Sequence, residues 1–176
     1  MRFARTALGT AVLLGVLLLG GADAFGGTPS GGAIQVLGTT GNGNGGGSFV
    51  ITGAIADSGK AENVNSSGKP KEKGKYKLLK LKKGTILLNG TQIIGALNNA
   101  NPTSFNTTTC SGSFAATDPV PIVRGTKAYA GISGTVTLTV TFALVMPLTK
   151  GKCNTNTNAN PIAQYGSIAG TGTVSF

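Results

Sequence analysis

The chain of 176 residues has no histidine, no tryptophan and only five acidic residues against fifteen lysines and arginines. Without histidine it lacks the commonest general base, proton shuttle and metal ligand at neutral pH. Once an N-terminal leader carrying Asp23 is set aside, Asp57, Glu62, Glu72 and Asp118 are the only carboxylates. A serine or threonine nucleophile needs an adjacent base, and none is on offer. Most hydrolase, metalloenzyme and nucleotidyl-transfer chemistries are thereby disfavoured, and neither a metal site nor a cofactor is expected. Three tyrosines without tryptophan are also too few for the aromatic girdles of an outer-membrane barrel.

What is present speaks first of compartment. Met1–Arg5 carries two arginines, Ala7–Gly21 is mostly apolar, and Ala22-Asp23-Ala24 places small residues at −3 and −1. This is the pattern of a cleaved secretory signal over residues 1–24, with a retained N-terminal anchor as the alternative. The apolar run falls short of the ~20 residues that a spanning helix requires. No later run approaches that length, so no membrane span is expected after cleavage. The protein is expected to be secreted. In an oxidising compartment Cys110 and Cys153, the only cysteines, are expected to form one structural disulfide rather than remain as two thiols.

Twenty-nine glycines and a two-residue hydrophobic period govern the rest. Residues 25–47 form a Gly-rich N-terminal segment in which Ala33–Leu37 can make one short strand. Ser48–Ala56 alternates as a strand and is expected to end in a turn at Asp57-Ser58-Gly59. Asn89-Gly90 lies between apolar runs and predicts a two-residue hairpin joining Thr85–Leu88 to Thr91–Ala96. The clearest element is Ile132–Met146. Val136, Leu138, Val140, Phe142 and Leu144 alternate with Thr135, Thr137, Thr139 and Thr141, as in a half-buried antiparallel strand. Ile162–Phe176 repeats the pattern, with Gly170 and Gly172 at inward positions where strands coil tightly. The fold class is all-β: a single antiparallel barrel of about eight strands over residues 48–176, with a sandwich as the alternative.

Val123-Arg124-Gly125-Thr126-Lys127-Ala128-Tyr129-Ala130-Gly131-Ile132-Ser133-Gly134 is the most distinctive stretch. It resembles the glycine-rich segment of the allene oxide cyclase and dirigent barrel superfamily. It is also similar to an element of small secreted bacterial proteins of unassigned role. The resemblance implies an eight-stranded barrel, often trimeric, with an apolar interior able to hold a small ligand. It carries no catalytic assignment for Arg124 or Tyr129, because a shared fold does not transfer chemistry. The barrel interior, represented by Val136, Leu138, Val140, Phe142 and Leu144, is the candidate ligand site.

The second signal is a run of lysines. Lys60, Lys69, Lys71, Lys73, Lys75, Lys77, Lys80, Lys82 and Lys83 fall within 24 residues, opposed by Glu62 and Glu72. Such a patch attracts anionic cell-surface polymers. The plainer reading is a solvated loop plus an edge strand whose lysines block sheet-to-sheet aggregation. Specific nucleic-acid recognition is disfavoured, since only Tyr76 in the run can stack on a base. The chain therefore reads as a secreted, non-enzymatic barrel of binding or surface-associated structural type. The competing readings are a pocket for a small apolar ligand and a polyanion binder working through Lys69–Lys83.

Overall fold

The computed structural model describes residues 28–41, 46–100, 104–154, 156 and 159–176, and the expected leader at residues 1–24 lies outside them. In chain order the elements are β1 (Gly32–Thr39), β2 (Ser48–Gly53), β3 (Asp57–Val64), β4 (Tyr76–Leu81) and β5 (Gly84–Asn89). The helix α1 (Thr91–Asn99) follows, then β6 (Ser104–Asn106), β7 (Ser111–Lys127), β8 (Ser133–Val145), β9 (Leu148–Thr149), β10 (Lys152–Cys153) and β11 (Ala163–Ser175). The sheet runs β5-β4-β3-β2-β1-β11-β8-β7, and pairing of β5 with β7 closes it into an eight-stranded antiparallel barrel. The expected fold class is thus observed, as the barrel and not the sandwich.

Alternation decides what faces the centre. On β8, Val136, Leu138 and Val140 are buried while Thr135 and Thr137 are exposed. Ile34 and Val36 of β1 and Phe49 and Ile51 of β2 join them in one core with Leu79, Ile86, Leu88 and Val120. Because β1 pairs with β11 on one side and β2 on the other, the barrel starts at Gly32 and not at Ser48. Along β8 and β11 the two strands run so close that side chains are excluded. A Cβ on Gly172 would stand 2.3 Å from the Thr135 carbonyl oxygen, and one on Gly134 2.2 Å from that of Thr173. The inward glycines are where the wall coils most tightly.

Three local expectations are corrected. Asn89-Gly90 is not a hairpin turn: Thr91–Asn99 is helical, and Gly90 sits at φ −87°, outside the positive range that a type I′ turn needs. Ile93, Ile94 and Leu97 repeat at helical spacing and pack on the core, which outweighs the short apolar run. The true partner of β5 is β4, across a two-residue turn at Lys82-Lys83. Asp57-Ser58-Gly59 is likewise not a turn but the start of β3, facing Ile51, Val50 and Phe49 of β2. Finally, β4 is no edge strand, since β3 and β5 flank it, so its lysines guard no open sheet edge.

Among the described residues the edge left open lies elsewhere. On one side β7 pairs with β8 from Ser111 to Pro121; on the other, β6 reaches only Ser113 and β5 begins only at Ile122. Pro119 and Pro121, which cannot donate to a ladder, fall in that gap. The helix α1 packs against β7.

Cys110 and Cys153 form a disulfide, which ties the start of β7 to the short β9–β10 hairpin. Their sequence separation is 43 residues, for which loop-closure entropy gives about 3–4 kcal/mol. The double variant Cys110→Ala/Cys153→Ala is expected to lose about that much in guanidinium unfolding, with far-UV circular dichroism unchanged.

Candidate functional site

The eight inward faces do not close on each other. They leave a cavity of about 390 Å³ inside the barrel, within the ~300–1,000 Å³ usual for small-molecule sites. Protein cores ordinarily hold few voids larger than a water molecule, so the barrel is hollow where a scaffold would be filled. Val136, Leu138 and Val140 line this cavity as expected, and so does Phe142, whose ring stacks on Phe114 at 5.3 Å. Leu144 does not. It is half-buried beyond the cavity and faces a broad open groove with Phe105 and Tyr165. Ile93, Ile94 and Leu97 of α1 also form the wall, and the sequence hides them because Thr91–Ala96 after Asn89-Gly90 has the pattern of a hairpin strand.

The two ends of the barrel differ in chemistry. One end, at the β2–β3, β4–β5 and β7–β8 turns, is plugged by Ile55, Tyr129, Ile132 and Val174, all buried. Tyr129 belongs to the glycine-rich stretch, and its backbone lies so near Gly125 that a Cβ there would meet the Tyr129 carbonyl oxygen at 2.1 Å. The Tyr129 hydroxyl donates to Asp57 Oδ2 at 2.6 Å. The same carboxylate accepts from the backbone N–H groups of Lys83 at 2.9 Å and Lys82 at 3.2 Å, which knits the β4–β5 turn to the plug. Burial pushes the Asp57 carboxyl up, but the hydrogen bonds from Tyr129, Lys83, Ser58 and Lys82 outweigh it and hold the group below its ordinary value. Burial and the adjoining carboxylate push the Tyr129 hydroxyl well above the ordinary phenol range. These two residues act as a structural latch facing away from the hollow.

The opposite end carries the polar lining: Thr39 and Thr40 after β1, Asn63 on β3, Lys77 on β4 and Gln164 on β11. Antiparallel pairing brings the end of β1 and β3 together with the start of β4 and β11. Lys77, Leu79 and Leu81 share the inner face of β4, whereas Leu78 and Lys80 face outward, where Lys80 pairs with Glu62 at 2.7 Å. Lys77 is therefore half-buried and lines the cavity. It leaves the expected cationic patch, and burial pushes its ammonium below the ordinary lysine value. Its Nζ donates to Asn63 Oδ1, while Asn63 Nδ2 donates to the Glu72 carbonyl at 2.9 Å.

The remaining lysines of the run divide. Lys69, Lys71, Lys73 and Lys75 are exposed on the loop between β3 and β4, as are Lys80 and Lys82 nearer the plugged end, while Lys83 is half-buried. Arg124 anchors that loop by donating to the Ser67 carbonyl at 2.7 Å. Among the described residues there is no cluster of three metal-ligating side chains, and no helix is long and apolar enough to cross a membrane.

Because the folded Asp57 titrates below its ordinary value of 3.8, the stability it contributes is complete above that value and is lost as pH falls through the folded one. Tyr129→Phe is expected to cost about 1–3 kcal/mol at neutral pH. In urea titrations that loss should shrink below the ordinary Asp57 value of 3.8, once the carboxylate is protonated. Comparison of the chain with protein-family models, with curated proteins and with solved structures finds no match, so the site's own geometry carries the functional reading.

Proposed function

We propose that this protein is an exported, non-enzymatic barrel that binds a small, mainly apolar molecule in its interior. The observation that carries the reading is the hollow itself: about 390 Å³, walled by apolar side chains from the barrel strands and α1. A structural scaffold gains nothing from such a void, since each buried apolar surface left without a neighbour forfeits dispersion and transfer energy. The polar side chains on the cavity wall are Thr39, Thr40, Asn63, Lys77 and Gln164. Among the described residues they offer no carboxylate and no imidazole, which favours binding over acid–base turnover. The disulfide supports export, as such bonds persist in oxidising compartments. A ligand-holding interior is also what the likeness of Val123–Gly134 to the allene oxide cyclase and dirigent barrels implies.

A second reading, attachment to an anionic cell-surface polymer, rests on Lys69, Lys71, Lys73 and Lys75, which project from one exposed loop containing Glu72 as its only acid. Both readings can hold in one molecule, because the loop lies outside the hollow.

N-phenyl-1-naphthylamine, a neutral dye, is expected to bind saturably with a blue-shifted emission. Ala61 is buried on β3 and lines the hollow, so Ala61→Phe is expected to fill it and weaken the dye at least ~10-fold, equivalent to about 1.4 kcal/mol. An unchanged titration in that variant, with its circular dichroism intact, counts against an interior site. For the second reading, the quadruple Lys→Gln variant at 69, 71, 73 and 75 is expected to elute from heparin at clearly lower salt. An unmoved elution point removes the polymer reading.

A further inference from the structure

Lys77 is an odd choice for the wall of a greasy hollow. It occupies an inward position of β4, between Asn63 of β3 and Leu88 of β5 in register. A lysine there gives up part of its hydration, and the barrel returns only a neutral partner, Asn63 Oδ1. Among the described residues no carboxylate pairs with it: Glu62, one position from Asn63, faces outward to Lys80. A desolvated ammonium without a counter-charge is costly, and the chain could have avoided that cost with leucine or methionine. The lowering of its proton affinity by burial agrees with this geometry.

The surroundings are arranged as if to keep the ammonium available. Asn63 is held by the Glu72 carbonyl, so its oxygen points at Lys77 and its nitrogen is already used. Lys77 shares the cavity with a wall that is otherwise apolar down to Leu138 and Val136. Gln164, exposed at the same end, adds an amide at the rim. The loop joining β3 to β4 leaves the barrel at this end and carries Lys69, Lys71, Lys73 and Lys75. The backbone of Lys75 accepts from Gly90 N–H at the start of α1, so the basic loop is fastened beside the entrance. Positive charge near a cleft concentrates anions and speeds their entry.

Building on the interior-site reading, we propose that the ligand is an apolar monocarboxylic acid whose carboxylate pairs with Lys77 while its hydrocarbon body fills the barrel. The acid supplies the missing counter-charge, the wall supplies the burial, and the loop lysines steer the anion towards the mouth. Each added methylene is expected to tighten binding about fourfold until the hollow is full.

Isothermal titration of the purified protein with dodecanoate and with dodecan-1-ol separates the two layers of this argument. Dodecanoate is expected to bind at least ~10-fold more tightly than the alcohol. Lys77→Met should abolish that preference while leaving the alcohol bound, and should raise the melting temperature of the empty protein by removing a poorly compensated charge. Lys77→Arg keeps the charge and should keep a preference for the acid. If dodecan-1-ol binds but dodecanoate shows no advantage in the native protein, the lysine proposal is overturned and the interior site stands. The proposal also falls if Lys77→Met leaves the preference intact. If neither ligand binds the native protein, the interior-site reading itself falls, and this proposal with it.

Discussion

The pairing of β5 with β7 is the constraint on which the rest of the molecule depends. Without it, the run from β5 through β1 and β11 to β7 would be an open sheet with one greasy face, a bare edge at β5 and a second at β7 beyond the short β6. Closure turns that face inward on every strand at once, so Ile34, Leu79, Ile86 and Val136 meet across one interior. The seam is short and includes a register shift at Leu87/Leu88, where β7 is relieved of the strict ladder. That shift and the two prolines let the long β7 serve β8 along most of its length and still turn to meet β5.

Closing a ring of eight strands sets a radius, and the side chains must then fill or not fill the space. Here they fill one end only. Tyr129, held by Asp57, and Ile55, Ile132 and Val174 seal it, while the glycines of β8 and β11 pull the wall tight. Towards the other end the wall keeps its apolar character but leaves a hollow, rimmed by amides, threonines and one lysine. A barrel with a buried, latched base and polar side chains at its other end has two chemically distinct ends. The interior-site proposal rests on that polarity together with the hollow.

The parts of this arrangement differ in how plainly the chain announces them. The strand at Ser133–Val145 was legible because the unbroken polar–apolar alternation from Thr135 to Phe142 leaves no other way to bury Val136, Leu138 and Val140. The helix at Thr91–Asn99 was not, because Ile93 and Ile94 sit beside an Asn-Gly pair that favours a turn in isolation. Only their burial against β7 and β8 decides for a helix. The segment from Asp57 to Val64 reads as polar, and it is a strand because β2 and β4 each offer it a ladder. Lys77 was hidden for a related reason: Tyr76-Lys77-Leu78-Leu79-Lys80-Leu81 puts lysine and leucine on both faces, so alternation cannot say which lysine turns inward.

Composition and periodicity by themselves determined the all-β class, the in-and-out pattern of the longest strand, the poverty in acid–base groups and the cysteine pair available for a bridge. These are properties of local stereochemistry and of residue inventory, which need no knowledge of distant partners. Tertiary pairing alone decided that the sheet closes, that β1 belongs to it, and that the interior stays hollow. It also decided that one lysine of nine points into that hollow. Each of these follows from strands far apart in the chain meeting in register, and register fixes the face on which a side chain lands.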